Sequence, residues 1–370
     1  MTAATTSDFQ AILDGNTHKT IPISAYESNL AGIYKMIPPS PNPITFDPMI
    51  HLTYYATTDP VVKDRFHQTR RLTMDELGLT HPHQISPIGV SDPFQLFTEE
   101  AIIIMRRELL QKETFLKYAR YSYNSTSGLD CVVRGFVKDG DEIICPFTYS
   151  AWTSSKTMEL VSWMAGVELE IVMDYEIAHS NISMKSENLA EEERIKHARE
   201  LVRRGSNGED LPAVVGWHYD SYPFVCVLML SDTTNMIGGE TALRMGNGGE
   251  VAVVPGPVRG SATVLQGRMI EHIAPVPLGA SERITMVTSY RAKDPKIRDG
   301  SVLTTIKPEL NWGSRYNQFY SEWIDYRVEL MKKKLDIIVR EKFDASGKFD
   351  KKKVVESLKE IEEYIKNTYE

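Results

Sequence analysis

Seven short strand-like segments between Ala213 and Arg291 constrain the fold of this chain more than any other feature. They are rich in β-branched and aromatic residues, and turns such as Gly238-Gly239 and Pro255-Gly256-Pro257 separate them. We predict strands at Val214–His218, Phe224–Leu230, Glu240–Met245, Glu250–Val254, Ala262–Leu265, Met269–Ile273 and Arg283–Tyr290. Short strands at this density favour a β-sandwich or barrel over an alternating βα sheet.

Helical and strand patterns around this region suggest the rest of the layout. Two further strands are predicted just before it, at Glu168–Tyr175 and Glu176–Ser183. Helices are predicted from about Thr98, a plausible N-cap, and at Ser155–Ala165, Leu189–Arg204, Arg315–Phe343 and Asp350–Asn367. We therefore expect one catalytic domain over residues 1–370, divided into an N-terminal helical and loop layer (1–165), a β core (166–295) with a helical insertion at about 186–210, and C-terminal helices (296–370).

Composition excludes several classes of partner. The chain has 42 basic and 50 acidic residues, a formal net charge of −8, and no strongly basic block, so nucleic acid is not expected to bind. No apolar run approaches the roughly 20 residues that span a bilayer. Three cysteines without a C-x-x-C motif, and a start without signal-peptide features, indicate a reducing, cytoplasmic location. The charged C-terminal helices leave a homo-oligomer as an open expectation.

The triplet His218-Tyr219-Asp220 carries the strongest chemical signal. On a strand, residues i and i+2 project from the same face, so one imidazole and one carboxylate point together. His272 lies on another predicted strand, which antiparallel pairing can bring opposite the first. Two histidines and one carboxylate are the ligand set of non-haem iron(II) oxygenases, and they leave coordination positions open.

A second pair, Arg283 and Thr285, follows His272 closely in the chain. These residues are again i and i+2 on a predicted strand and so share a face. A guanidinium binds a carboxylate in bidentate fashion, and a hydroxyl can add a hydrogen bond. This pair suits the distal carboxylate of a keto diacid whose other end chelates a metal.

Taken together, the stretch Trp217–Arg291 resembles the iron(II)/2-oxoglutarate-dependent dioxygenases. Their pattern of H-x-D, a distal histidine and R-x-S/T occurs here in order as His218-Tyr219-Asp220, His272 and Arg283-Ile284-Thr285. The resemblance implies a mainly β fold, a double-stranded β-helix or jelly roll of the cupin kind, backed by helices. It also implies iron(II), 2-oxoglutarate and O₂ as cofactor and co-substrates, with hydroxylation of a small molecule and release of succinate and CO₂. The carboxylate of Asp220 favours oxygenation over the chlorination performed by members that lack it.

Flanking phrases resemble a fungal branch of that family. They are Ser91-Asp92-Pro93-Phe94-Gln95-Leu96-Phe97, Ala151-Trp152-Thr153-Ser154 and Met173-Asp174-Tyr175-Glu176-Ile177. The branch includes oxygenases of tropolone and citrinin biosynthesis, so the resemblance implies a small-molecule substrate of polyketide or related specialised metabolism.

Several other residues are candidates for the site. Asn181 and Gln266 lie on or beside predicted strands and are candidates to hydrogen-bond the co-substrate, although a structural role fits each equally well. Four aromatic residues surround the H-x-D triplet and are candidates to line a substrate pocket: Trp217, Tyr219, Tyr222 and Phe224. His81-Pro82-His83 is a rival ligand pair in a proline-rich context, which favours a loop.

Two alternatives use the same three ligands. A zinc hydrolase also binds its metal through histidine and carboxylate and leaves a position open. It needs a general base beside the metal, however, and has no use for Arg283. A non-catalytic cupin-like binding protein is the other alternative, but the intact ligand set and Arg283 count against it.

Overall fold

The computed structural model describes residues 20–41, 44–122, 128–204, 216–246, 248–274, 277–308 and 314–369. Fifteen strands lie in these ranges, and all of their pairings are antiparallel. They are β1 (Arg71–Thr73), β2 (Ile88–Ser91), β3 (Phe94–Gln95), β4 (Ala119–Tyr121), β5 (Leu129–Val133), β6 (Lys138–Asp139), β7 (Glu142–Ile143), β8 (Leu169–Ile171), β9 (His179–Met184), β10 (Phe224–Met229), β11 (Thr241–Arg244), β12 (Val251–Val254), β13 (Ser261–Leu265), β14 (His272–Ile273) and β15 (Glu282–Ala292).

The strands form one large sheet, one small sheet and a hairpin. The large sheet has the order β1-β2-β13-β10-β15-β9-β5-β4, with β3 and β8 added at β13 and β15. The small sheet has the order β12-β11-β14, and a bridge between His218 and His272 adds the His218 segment beyond β14. Strands β6 and β7 form a separate hairpin.

The path of the chain between the two sheets defines a jelly roll. From β9 onward, successive segments lie in the large sheet, the small sheet (at His218), the large sheet (β10), the small sheet twice (β11, β12), the large sheet (β13), the small sheet (β14) and the large sheet (β15). The result is two facing layers, β13-β10-β15-β9 and β12-β11-β14-His218. The jelly-roll core is as predicted from the resemblance, and "mainly β" describes this core alone, because helices hold more residues than strands.

Helices pack against one face of the large sheet, and two long helices form the C-terminal part of the chain. They are α1 (Ile23–Asn29), α2 (Ala31–Met36), α3 (Pro48–His51), α4 (Thr53–Ala56), α5 (Pro60–His67), α6 (Glu99–Leu110), α7 (Lys112–Tyr118), α8 (Pro146–Thr153), α9 (Ser155–Ala165), α10 (Glu187–Arg204), α11 (Tyr316–Arg340) and α12 (Lys351–Tyr369). No helix in the described ranges combines the length and apolar character needed to cross a bilayer.

The main helix predictions are confirmed to within a few residues. The Thr98 side chain accepts from the Ala101 N–H and caps α6, and α9 ends at Gly166, whose φ of 70° suits glycine. The predicted strands at 168–183 are wrong in extent. Only β8 and β9 form there, because a 3₁₀ turn at Asp174–Glu176 separates them. Residues 214 and 215 of the first predicted core strand lie outside the described residues.

Successive side chains along a strand of the large sheet point to opposite faces, and the two faces pack against different parts of the protein. One face, which we call the outer face, contributes Cys226, Leu228, Ile284 and Met286 to a core shared with helices α6, α8 and α9. The other, inner face contributes Val225 and Leu265, which pack with Leu243 and Val254 of the small sheet. Because the strand period is two, every residue in register with Val225 or Val287 also looks toward the small sheet.

Candidate metal centre

Two backbone hydrogen bonds bring the distant histidines together. The His218 N–H donates to the His272 carbonyl at 3.0 Å, and the His272 N–H donates to the His218 carbonyl at 2.9 Å. Residues directly opposed in an antiparallel pair project to the same side, so both imidazoles face one point. The prediction that His218 lies on a strand holds only as this one-residue bridge, since no longer strand forms in the described part of that segment.

The carboxylate of Asp220 completes the group. The Asp220 N–H donates to the Gly267 carbonyl at 2.9 Å, which places the carboxylate beside the imidazoles. Asp220 Oδ1 lies 3.8 Å from His218 Nε2 and 3.7 Å from His272 Nε2. One ligand atom from each residue lies within 4.8 Å of the others, and no other metal-binding group of this kind occurs among the described residues.

Backbone carbonyls orient both imidazoles for coordination. Nδ1 of His218 lies 2.9 Å from the Gly216 carbonyl, and Nδ1 of His272 lies 2.9 Å from the Ile270 carbonyl. A carbonyl oxygen can only accept, so each Nδ1 carries the proton and each Nε2 is left with a free lone pair.

The state of the carboxylate tests whether a cation fits this group. Asp220 Oδ2 is buried and has no hydrogen-bond partner among the described residues. A buried carboxylate oxygen without a partner is costly, and a divalent cation held by Asp220 and the two Nε2 atoms would offset that cost. The donor set and the buried, unpartnered oxygen both fit iron(II).

Gly267 makes room for the ligand carboxylate, and sequence inspection did not single it out. A Cβ built on Gly267 would lie 1.8 Å from Oδ2 and 2.7 Å from Cγ of Asp220. The carboxylate cannot move away freely, because the Asp220 N–H is bonded to the carbonyl of the same glycine. Gly267 is one of 23 glycines, and nothing in its sequence neighbours marks it.

Gly267→Ala is expected to displace the Asp220 carboxylate and to weaken metal binding by more than about tenfold, as the loss of a supporting contact does in other metal sites. Calorimetric titration with Co²⁺, an O₂-stable substitute for iron(II), measures this. Gly32→Ala is the matched control, since a Cβ there has no atom within 4 Å. The Asp220→Ala background should remove most of the loss of thermal stability caused by Gly267→Ala. An unchanged Co²⁺ affinity would contradict the steric role.

Strand β15 presents Arg283 and Thr285 on the inner face, as the i, i+2 spacing predicts. Thr285 is buried and lies between Asn181 of β9 and Met229 of β10. Asn181 is half-buried and shares this face, so the structure brings these three predicted co-substrate residues to one surface. Their roles remain predictions.

The guanidinium of Arg283 lacks a partner. Among the described residues no anion or carbonyl bonds to it, and its Nε is buried without any acceptor. Burial lowers the pKa of Arg283 from its ordinary value, and no neighbouring carboxylate counteracts this shift. An unpaired, enclosed cation is costly, so the inner face offers a site for an anionic group of a ligand.

Two of the candidate pocket residues lie elsewhere. Phe224 is on the outer face and packs in the core shared with the helices, so it cannot line the space between the sheets. Tyr222 is buried in a cluster with Trp323 of α11, and its hydroxyl donates to Glu176 at 3.1 Å. The prediction that these two residues line the substrate pocket is therefore wrong, because the face toward which each side chain points was not visible in the sequence.

Of the two roles considered for Gln266, a co-substrate contact and a structural role, the structure favours the structural one. Its Oε1 accepts from the Ile85 N–H at 2.9 Å, and its Nε2 donates to the carbonyls of Ser86 and Ile88 at 3.1 and 2.9 Å. These bonds anchor the 85–88 segment against β13 and leave the buried amide no free group for a co-substrate. Trp217 and Tyr219 do lie beside the ligands. Trp217 stacks under Arg244, and the Tyr219 side chain is 45% exposed.

The rival histidine pair forms a turn. The His83 N–H donates to Nδ1 of His81 at 3.1 Å, both residues are exposed, and no third ligand accompanies them among the described residues. A cleft of about 900 Å³ is also separate from the metal centre. Its four cations, Arg106, Lys185, Arg194 and Arg259, are paired with carboxylates. None of the three metal-ligand candidates lines it.

No protein-family model matches this chain, and no curated protein matches it either. Among solved structures, it is similar to the nogalamycin-biosynthesis epimerase SnoN, described as non-haem and alpha-ketoglutarate dependent (14% identity; 63% of this chain and 84% of that one; TM-score 0.38). It is also similar to a prolyl-4-hydroxylase of Pseudomonas putida (14%; 55% and 93%; 0.33) and to a 2OG-Fe(II) oxygenase family protein of Burkholderia pseudomallei (16%; 48% and 73%; 0.31). With TM-scores below 0.5, these likenesses carry no weight in assigning the reaction.

Proposed function

We propose that this protein is an iron(II)- and 2-oxoglutarate-dependent oxygenase that hydroxylates a small-molecule substrate. The observation that carries the proposal is that one jelly roll contains two charged groups with buried atoms that lack hydrogen-bond partners in the described part of the chain. They are the Asp220 carboxylate beside two imidazoles, and the guanidinium of Arg283 on the inner face, neither of which has a hydrogen-bond partner for its buried atom among the described residues. A bound metal ion would give the Asp220 carboxylate a partner, but the Arg283 guanidinium would still need an anion.

Each residue has a defined part in the proposed reaction. His218, Asp220 and His272 would hold iron(II), and a set of three protein ligands would leave coordination positions for the co-substrate and O₂. Arg283 and Thr285 would bind the distal carboxylate of 2-oxoglutarate, with Asn181 beside them. When bound, the metal and keto acid supply O₂ activation, in which one oxygen atom oxidises 2-oxoglutarate to succinate and CO₂ and the other enters a C–H bond of the substrate.

The zinc hydrolase is not favoured. A hydrolase needs a carboxylate or imidazole beside the metal as general base, and among the described residues no fourth such group joins the three ligands. It also gives the Arg283 guanidinium no partner. A non-catalytic binding protein would not require the Nδ1 carbonyl contacts that orient both histidines.

The finer placement belongs to the same proposal. The phrases Ser91–Phe97, Ala151–Ser154 and Met173–Ile177 support a fungal polyketide or related pathway as the source of the substrate. We also propose that residues 1–370 act as one catalytic unit in the cytoplasm, without nucleic-acid or membrane partners. Self-association through α11 and α12 is part of this proposal.

The deciding experiment measures succinate from 2-oxoglutarate with iron(II), ascorbate and a panel of aromatic and aliphatic small molecules. Wild-type protein is expected to release succinate in a 1:1 ratio to hydroxylated product, whereas zinc-loaded protein should release none. Uncoupled succinate release without any substrate would also support the co-substrate assignment. Absence of succinate with every compound, together with hydrolysis of an ester or amide by the zinc form, would overturn the proposal.

A further inference from the structure

His179 lies on the same inner face as the proposed co-substrate residues. It precedes Asn181 by two positions on β9 and pairs with Val287 of β15, which in turn pairs with Val227 of β10. The row formed by His179, Val287 and Val227 lies on one side of Thr285, and Arg283 lies on the other. It is also next to the Val225–Leu265 end of the sheet, where Gly267 bonds Asp220. Along the sheet, His179 is therefore closer than Arg283 to the metal ligands.

The inner face around His179 is less buried than the outer face of the same strand. In β9 the inner positions His179, Asn181 and Ser183 are half-buried, whereas the outer positions between them are fully buried. Val132 of β5 and Val287 of β15 are half-buried as well, whereas Thr285 and Ser289, which share the inner face of β15, are buried. His179 Nε2 is nevertheless buried and has no hydrogen-bond partner among the described residues. A neutral hydroxyl or carbonyl of a ligand bound between the sheets would give this nitrogen the partner that it lacks.

The backbone before His179 is held in an unusual conformation. Ala178 has a φ of 61°, the only positive value among the described residues other than glycine. The Thr288 hydroxyl accepts from the Ala178 N–H at 3.0 Å, and the Ser180 hydroxyl donates to the Ala178 carbonyl at 2.9 Å. Such strain persists where surrounding contacts impose it, often at ligand-binding positions. Here it fixes the direction in which β9 begins, and with it the imidazole.

The surroundings of His179 suit an uncharged ligand group. Burial, helped by the nearby positive charge of Arg134, holds the pKa of His179 well below its ordinary value, so the imidazole is neutral. Arg134 itself is already engaged, with bonds to Glu176 and to the Ser314 hydroxyl. On the β15 side, the neighbours across the sheet are Val287 and Val227. A carboxylate placed here would meet no free cation, whereas a neutral hydroxyl or carbonyl needs only one hydrogen bond.

We propose that His179 is a substrate-specificity residue whose imidazole hydrogen-bonds a neutral oxygen substituent, a hydroxyl or a carbonyl, of the small molecule bound beside the metal. The inference rests on the proposed function, since it takes the space between the sheets as the substrate site. It assigns the co-substrate to Arg283 and Thr285 and leaves His179 to the substrate. The substrate should therefore carry such an oxygen a few bonds from the carbon that reacts.

The test uses phenol and toluene as probes, because they have the same size and differ in one neutral hydroxyl. Full-length protein loaded with Zn²⁺ and N-oxalylglycine, a stable analogue of 2-oxoglutarate, is labelled with ¹⁵N-histidine, and the His179 signals are identified by their loss in His179→Gln. Phenol is expected to shift the His179 ¹⁵N resonances, whereas toluene and N-oxalylglycine alone should leave them in place. Phenol should bind about tenfold more tightly than toluene, the worth of one hydrogen bond.

Two variants separate hydrogen bonding from packing. His179→Phe should lose the preference for phenol, and His179→Gln, which keeps an uncharged hydrogen-bonding group, should retain most of it. A preference that survives in His179→Phe, or an absence of any phenol-induced shift, would overturn the proposal. A shift caused by N-oxalylglycine alone would also overturn it, because His179 would then belong to the co-substrate. Failure of N-oxalylglycine to bind the metal-loaded protein would instead count against the proposed function.

Discussion

Asp220→Ala is expected to lower the affinity for iron(II) by more than about 100-fold and to abolish succinate release. Loss of a supporting contact alone costs 10- to 100-fold in metal sites, and this change removes a ligand. The metal-free variant should unfold at the same temperature as wild type or above it, because the substitution eliminates a buried carboxylate oxygen that has no partner. The stabilisation of the wild type by added Co²⁺ should disappear in the variant.

Anaerobic calorimetric titration with iron(II), together with thermal unfolding with and without Co²⁺, measures both parts of this expectation. His81→Ala is the matched control, since His81 is exposed, forms a turn with His83 and has no third ligand nearby. If Asp220→Ala bound iron(II) as tightly as wild type while His81→Ala did not, the ligand assignment would be wrong.

Arg283→Gln is expected to raise the KM for 2-oxoglutarate by about 10- to 100-fold. A charge-assisted hydrogen bond contributes about 1.5–3 kcal/mol, and the guanidinium has no other anion to bind among the described residues. Metal affinity should change less than twofold, because Arg283 and the metal-ligand residues lie on different strands. Thermal stability should not fall, since an enclosed charge without a partner is removed.

The sharper measurement compares 2-oxoglutarate with 2-oxopentanoate, which has the same chain length but no distal carboxylate. Wild type should prefer 2-oxoglutarate by at least tenfold in kcat/KM, and Arg283→Gln should lose most of that preference. Arg259→Gln is the control, because Arg259 is paired with Glu99 and lies outside the inner face. An undiminished preference in Arg283→Gln would place the distal carboxylate elsewhere.

The comparison of Gln266 with Asn181 shows where sequence reasoning reached its limit. Both are amides on or next to core strands, and nothing local distinguishes them. In the structure, the Gln266 amide forms hydrogen bonds with three backbone groups of residues 85–88, which are distant in sequence. Asn181 instead lies on the inner face beside Thr285. Whether a polar side chain is free depends on contacts made by remote parts of the chain.

The sequence alone determined the chemistry and the spacing. The i, i+2 pairs His218/Asp220 and Arg283/Thr285 were readable because strand side chains alternate with a fixed period of two. The density of turns and short strands indicated a β-sandwich or barrel, and the resemblance to the dioxygenases implied the jelly roll. Only the tertiary structure decided which face of each strand looks inward, that Gly267 must lack a side chain, and that Nε2 of His179 has no partner in the described part of the chain. These properties depend on contacts between segments that are distant in the chain. The pattern of residues along the sequence does not specify those contacts.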